Sequence, residues 1–404
     1  MKWQIIFACC LSAFLSISLF IFVDVDRDAT ALADESEQTS NDTTEKLEDA
    51  VDDSLQNIDF SAFDKILADL EQDKFDIFGT SSFFNKVNQI LSGDMGDNFG
   101  IILLNILNLF FGNVGSYVPL ICMVVGIAIL GSLVTNLKSE DSHNIDTIVN
   151  FACFGLIVVI VSAQCVSLLD AVQTCIQSLK VQMDVIFPIL LTLLASIGGT
   201  VSVGIFQTST AVLSNLVLQV FTLVVIPLFL ISFVFSILGN LVESVKLSKF
   251  NDFINTLLKW LIGIIFGIFS TVLTIQGIVA GSYDGMSINA TKFALKSYIP
   301  VLGGYLSEGF NYAVASSVLI KNSIGFAGLL LLLSSIIPTF VRIVAFAIFL
   351  KLGSAIVEPM GMSKVSNFLN QTSRLMFYLV GILLAVSFMY VLTLGLLMCL
   401  ANGF

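Results

Sequence analysis

Histidine occurs once in the 404 residues, as His143, and charged side chains make up only 12% of the chain. Soluble domains carry about 25% charged residues, so half that value leaves too little polar surface to cover a core. One histidine argues against histidine-based catalysis and against a multi-histidine metal site. Positive charge is scarce too. The chain holds 18 Lys+Arg against 30 Asp+Glu, a net charge of -12, which excludes nucleic-acid binding as a function class. Proline is found six times and cysteine seven, at 9, 10, 122, 153, 165, 175 and 399. No two cysteines form a CxxC pair, and most fall in apolar runs, where they read as small hydrophobes. Nucleophile–base pairs, phosphate loops and zincin motifs are missing, so the expectation is no enzyme, no cofactor and no metal. What is present is 56% apolar residues, 35 of them Phe, and a mean hydropathy of +0.95. That composition belongs to an all-α, polytopic membrane protein.

The acidity is confined to one end. Residues 1–100 hold 20 Asp/Glu against 6 Lys/Arg, a net of -14, and residues 101–404 hold 10 against 12, a net of +2. Lys2 precedes an uncharged run from Trp3 to Val23, followed by Ala31-Leu32-Ala33. Residues 1–33 read as a signal sequence, either cleaved there or kept as an anchor. The next segment, 34–98, is expected outside the cytoplasm: disordered over 34–57, then two short amphipathic helices. Phe63, Ile66, Leu67 and Leu70 mark the first, with Ser61 and Asp64 as its capping box; Phe84, Val87, Ile90 and Leu91 mark the second.

Residues 99–404 form the membrane body. Its charged residues repeat: Glu243, Lys249, Phe253, Asn255 and Lys259 recur 115 positions later as Glu358, Lys364, Phe368, Asn370 and Arg374. Pro188 and Pro227 recur as Pro300 and Pro338, at offsets of 112 and 111. Two parallel units near 180–283 and 292–399 follow, with a weaker third copy before them around Pro119. Each is a helical hairpin, which predicts six spans near 115–136, 147–169, 211–238, 260–283, 322–341 and 375–399. Residues 99–112 are too short to span and are expected in the interface. The segments 185–206 and 297–320 carry Gly pairs and polar residues, and are expected to be re-entrant or interfacial. An exported N-terminus puts Lys246, Lys249, Lys259, Arg342, Lys351, Lys364 and Arg374 on the cytoplasmic side, as the positive-inside rule requires, while Lys292, Lys296 and Lys321 fall on the outer side and weaken the match.

Three groups of residues are candidates for function. Pro188, Gly198, Gly199, Pro300, Gly303 and Gly304 resemble broken elements that line a path; the competing reading is interfacial packing. Glu243, Lys249, Asn255, Lys259, Glu358, Lys364, Asn370 and Arg374 form either a cytoplasmic coupling surface or a set of snorkelling cations with local partners. Asp170 and Asp184 are either an ion-coupling pair or solvated residues at the edge of the second span, the latter being the expectation here.

The stretch Asp284-Gly285-Met286-Ser287-Ile288, Thr291-Lys292-Phe293, Ile299-Pro300-Val301-Leu302-Gly303-Gly304 and Leu319-Ile320-Lys321-Asn322 through Gly325-Phe326-Ala327-Gly328 resembles the stage III sporulation protein AE family of endospore-forming bacteria. The resemblance covers the body and its layout. It implies a multi-pass subunit of the complex joining mother cell and engulfed forespore, placed in the mother-cell membrane around the forespore. Its partners would be proteins of the same operon, one an ATPase and others ring-forming, besides the lipid bilayer. It carries no catalytic residues across. The role implied is a non-enzymatic channel or permease-like subunit. An autonomous secondary transporter, and a scaffold anchoring ring proteins through 34–98, are the alternatives.

Overall fold

The computed structural model describes residues 87, 90, 99–136, 143–241, 248–298 and 303–400. The expected signal sequence and nearly all of the acidic region lie outside the described residues. Val87 and Ile90 of the second expected amphipathic helix are helical, and Val87 is fully buried against the membrane body.

Among the described residues there is no strand. The elements are α1 (Phe99–Asn136), α2 (His143–Ser196), α3 (Thr200–Val220), a π-helical turn (Phe221–Val225), α4 (Ile226–Leu241), α5 (Ser248–Tyr298), α6 (Gly303–Val357), a 3-10 turn (Glu358–Met360) and α7 (Ser363–Cys399). The π-turn joins α3 and α4 into one rod, so six rods are long and apolar enough to cross a membrane. A backbone that cannot bond to lipid must bond to itself, which favours unbroken helix across the apolar region. The π-turn sits just before Pro227, whose missing N–H and bulky ring disturb the preceding turn. Pro119, Pro188 and Pro338 lie inside α1, α2 and α6.

Each expected span falls inside one rod, but the rods are far longer than the 20 or so residues a bilayer needs. Residues 99–112 are not a separate interfacial element; they are the first turns of α1. Likewise 185–196 completes α2 and 200–206 opens α3, with a tight turn between. In the other expected broken element, 303–320 is the start of α6. Apolar length carries the helix through these places, and Gly pairs alone do not stop it.

The rods pair as three successive hairpins, α1–α2, α3/α4–α5 and α6–α7. Ser248 and Ser363, which open α5 and α7, stand 115 residues apart, the offset of the charged positions. Packing then separates the two units. Three-fifths of the most apolar window of α6 and of α7 is buried, 61% in each, against 11% for α5. Phe368 on α7 is fully buried between the rings of Phe154 on α2 (5.6 Å) and Phe233 on α4 (6.4 Å), whereas Phe253, its counterpart on α5, is exposed. So α6 and α7 form the core, α1, α2 and α3/α4 pack around them, and α5 lies at the rim.

Close approach between α6 and its neighbours depends on glycine. A Cβ on Gly325 would stand 2.5 Å from Met398 Cγ, and one on Gly328 would stand 3.1 Å from Ile186 of α2. Gly263 on α5 has nothing within 4 Å. Gly325→Val is therefore expected to destabilise the detergent-solubilised protein by about 1–3 kcal/mol through overpacking. Gly263→Ala should leave the melting temperature unchanged or raise it. Equal melting temperatures for Gly325→Val and wild type would contradict this packing.

Candidate functional site

Neighbouring rods run in opposite directions, so the connections gather at two ends. At one end are the turn at 197–199 and the terminus of α7 at Leu400, with α5 and α6 extending past them to Tyr298 and from Gly303; at the other are the end of α1 at Asn136, the end of α4 at Leu241 and the turn at 358–362. Between Lys321 and Ser354, which mark these ends on α6, lie 33 residues, or about 50 Å of helix at 1.5 Å per residue. A bilayer with its headgroups is about 40–45 Å thick, so the ends fall at or just beyond its two faces.

The Leu400 end is built around two buried charges. Asp284, near the end of the apolar part of α5, is 2% exposed and accepts hydrogen bonds from the backbone N–H of Val201 (3.1 Å) and Ser202 (3.2 Å). These are among the first N–H groups of α3, which have no partner within their own helix. Gly199, the N-cap residue, makes no side-chain cap, so the carboxylate arrives from another helix and meets the positive end of the α3 dipole. Lys321 on α6 is fully buried, and its Nζ donates to the Leu400 carbonyl, where α7 ends. A cation at a helix C-terminus is the mirror arrangement. A Cβ on Gly281, one turn before Asp284, would stand 3.6 Å from Leu400 Cδ2, and one on Gly277 would stand 3.2 Å from Leu396 Cδ2, so α5 passes close to the end of α7 and the two caps are neighbours.

The turn beside them needs its glycines. Gly198 has φ 103°, a left-handed conformation that side chains disfavour. Gly199 has ordinary φ but no room, since a Cβ would meet Leu194 Cγ at 2.8 Å and the Leu194 carbonyl oxygen at 2.9 Å. Of the six residues expected to line a path, these two make a turn, Pro188 is an exposed residue within α2, and Gly303 and Gly304 open α6. Pro300 lies outside the described residues.

Polar side chains stitch the opposite end together. Gln371 on α7 accepts from Ser236 (2.9 Å) and Asn240 (3.1 Å) of α4, and Ser232 donates to Asn251 (2.7 Å) and Asn255 (2.8 Å) of α5. Ser354 and Ser366 bond each other's backbone, and Ser132 of α1 donates to the Met360 carbonyl. Asn255 is thus part of the helix–helix seam. Lys259 lies over the Tyr378 ring at 5.2 Å, a cation–π contact between α5 and α7. Lys249, Glu358 and Arg374 are exposed, Lys364 and Asn370 half-buried, and Glu243 lies outside the described residues. The charged positions therefore divide. Some hold helices together, and Lys249, Glu358 and Arg374 are left on the surface.

Asp170 and Asp184 are not at the edge of a span. Both are exposed residues well inside the 54-residue α2. Reasoning from run length missed this, because the polar residues between them interrupt the hydropathy without interrupting the helix. Sequence reasoning also passed over Asp284 and Lys321 as working residues, although both stand in the stretches that carry the family resemblance.

Residues 81–401 match the family model described as Stage III sporulation protein AE. The stage III sporulation protein AE of Bacillus subtilis (strain 168) is 29% identical over 217 residues, which is 54% of this chain and 54% of that protein. The chain thus aligns over about half the length of this curated relative. No solved structure matches.

The two caps act on different helix ends, which sets an expectation for double substitution. Asp284→Ala and Lys321→Ala should each destabilise the protein by about 1–3 kcal/mol, leaving orphaned backbone groups in an apolar setting. Together they should add to within about 0.5 kcal/mol, as independent sites do. Denaturant titration of the purified single and double variants measures this, and a strongly non-additive double variant would mean that the charges act as a pair instead.

Proposed function

The chain belongs to the stage III sporulation protein AE family, and from that premise we propose that it is a non-enzymatic, channel or permease-like membrane subunit of the complex that links mother cell and forespore. The observation that carries this reading is the family match across the whole membrane body, 81–401, joined to six membrane-length rods. In this reading the Leu400 end faces the space between the two membranes and the Met360 end faces the mother-cell cytoplasm. Charge supports that assignment: Lys249, Lys259, Lys351, Lys364 and Arg374 all cluster toward the Met360 end.

The partners in this reading are ring-forming subunits at the exported side and an ATPase at the cytoplasmic side. The cytoplasmic contact would use the exposed members of the repeated charged set, Lys249, Glu358 and Arg374, because Asn255 and Lys259 are engaged between helices.

Deleting the gene in an endospore-forming host should stop development after engulfment, seen as a loss of heat-resistant spores with engulfment still visible by membrane staining. Normal spore yield would sink the reading. In a complemented strain, the pair Lys249→Glu and Arg374→Glu should lower spore yield at least tenfold while the protein still accumulates in the membrane. Wild-type yield from that variant would remove the proposed cytoplasmic contact.

A further inference from the structure

The capped ends provide a depth scale for the rest of the body. Gln182 of α2 donates to Ser335 Oγ on α6, and Cys175 Sγ donates to the Ser335 carbonyl at 3.3 Å. Ser335 is 14 residues from Lys321 and 19 from Ser354, about 21 and 28 Å of helix. This part of α2 is therefore at the middle of the bundle.

At that depth α2 turns a polar stripe outward. Asp170, Gln177 and Asp184 are exposed, and Gln173 and Lys180 are half-buried. Their spacing of three and four residues puts all five on one face of the helix. The next helix is mixed, exposing Val212 and Leu216 among its polar residues. α3 packs against α2, runs back from the 197–199 turn, and exposes Gln207, Thr208, Asn215 and Gln219. α5 at the rim presents the reverse at the same level. Its Phe266 ring meets Phe388 of α7 at 5.4 Å, 12 residues from the Leu400 end, and it exposes Ile264, Ile268 and Ile275. One flank of the molecule thus suits hydrocarbon and another does not. Carboxylates, an ammonium and a row of amides are costly against lipid, so such residues ordinarily face protein or water.

We propose that the α2–α3 polar face lines a water-filled path closed by further copies of this chain, and that polar, hydrogen-bonding solutes pass along it. The inference rests on the channel reading above and names its wall. Copies inserted the same way in one membrane bring Asp170 to the depth of Asp170 and Lys180 to the depth of Lys180. Dry face-to-face packing would set like charge on like charge, so water separates the faces. Side chains that are mostly neutral amides replace a solute's hydration by hydrogen bonds. Asp170, Lys180 and Asp184 leave one net negative charge per copy, which favours neutral and cationic solutes over anions.

The test uses the full chain with its seven cysteines replaced, purified and reconstituted alone in liposomes. Single cysteines are placed at Gln177→Cys and Asn215→Cys on the polar face, and at Ile268→Cys and Ile275→Cys on the rim. Labelling with a hydrophilic, membrane-impermeant maleimide should be at least tenfold faster on the polar face, and the reconstituted particle should have the mass of several chains. Equal labelling rates overturn the aqueous path, and a single-chain mass overturns its closure by copies, leaving another membrane protein to cover the face. Spore yield reads the broader function separately. Equal labelling in a chain whose deletion still blocks sporulation removes the path and keeps the sporulation role. Fast labelling in a chain that is dispensable for spores does the reverse.

Discussion

In an apolar medium the end of a helix is a polar object with nowhere to turn, and the three-hairpin body depends on how those ends are satisfied. Asp284 closes the start of α3 from a different helix, and Lys321 closes the finish of α7 from α6. Each cap closes its own hairpin, the second beside the α2–α3 turn and the third at Leu400, and the close approach of α5 to α7 at Gly277 and Gly281 sets the two side by side. A buried charge without such a partner would cost several kcal/mol. With one, it specifies which helix end must lie beside which. Glycines at 277, 281, 325 and 328 bring the backbones close enough for the caps to reach.

The opposite end is held differently, by neutral side chains. Serine, asparagine and glutamine bridge α4, α5 and α7 there, and the reciprocal Ser354–Ser366 bonds close the last hairpin. Neutral hydrogen bonds cost less to desolvate than charges, and this end carries most of the cations on its surface. Outside α2, the described charges of the body are buried singly as caps, engaged between helices as Lys259 is, or exposed near a membrane face. The charged stripe of α2 fits none of these classes, which is why it stands out against such a sparse background.

Much of this architecture was readable from the residues. Scarce charge and long apolar runs were enough for an all-helical membrane body with six spans, because lipid admits few other solutions. The 115-residue offset anticipated that α5 and α7 begin at equivalent places. Helix length was not readable. Hydropathy reports where lipid could be, whereas helices continue wherever the backbone bonds to itself, so 99–112, 170–184 and 185–196 were taken for boundaries that the chain runs straight through. Nor could composition reveal the work of Asp284 and Lys321, since their partners are backbone groups more than 75 residues away. The only trace of that work in the sequence was their place in the stretches shared with a family.

Phe253 and Phe368 show how far packing can separate two positions with similar sequence surroundings. They occupy matching positions 115 residues apart, yet one is exposed at the rim and the other fully buried between α2 and α4. Two hairpins alone could bury both against each other, but the surrounding α1, α2 and α3/α4 rods leave only Phe368 in the centre. The central hairpin, α6–α7, then serves as the rigid axis, and α5 is free to present isoleucines to lipid. The polar flank of α2 and α3 lies at the same depth as that apolar rim. A molecule with lipid-compatible and water-compatible flanks at one depth is incomplete as a single chain, since the second flank must be enclosed. The unequal burial of the second and third hairpins is therefore what gives the body a side that faces lipid and a side that needs enclosing.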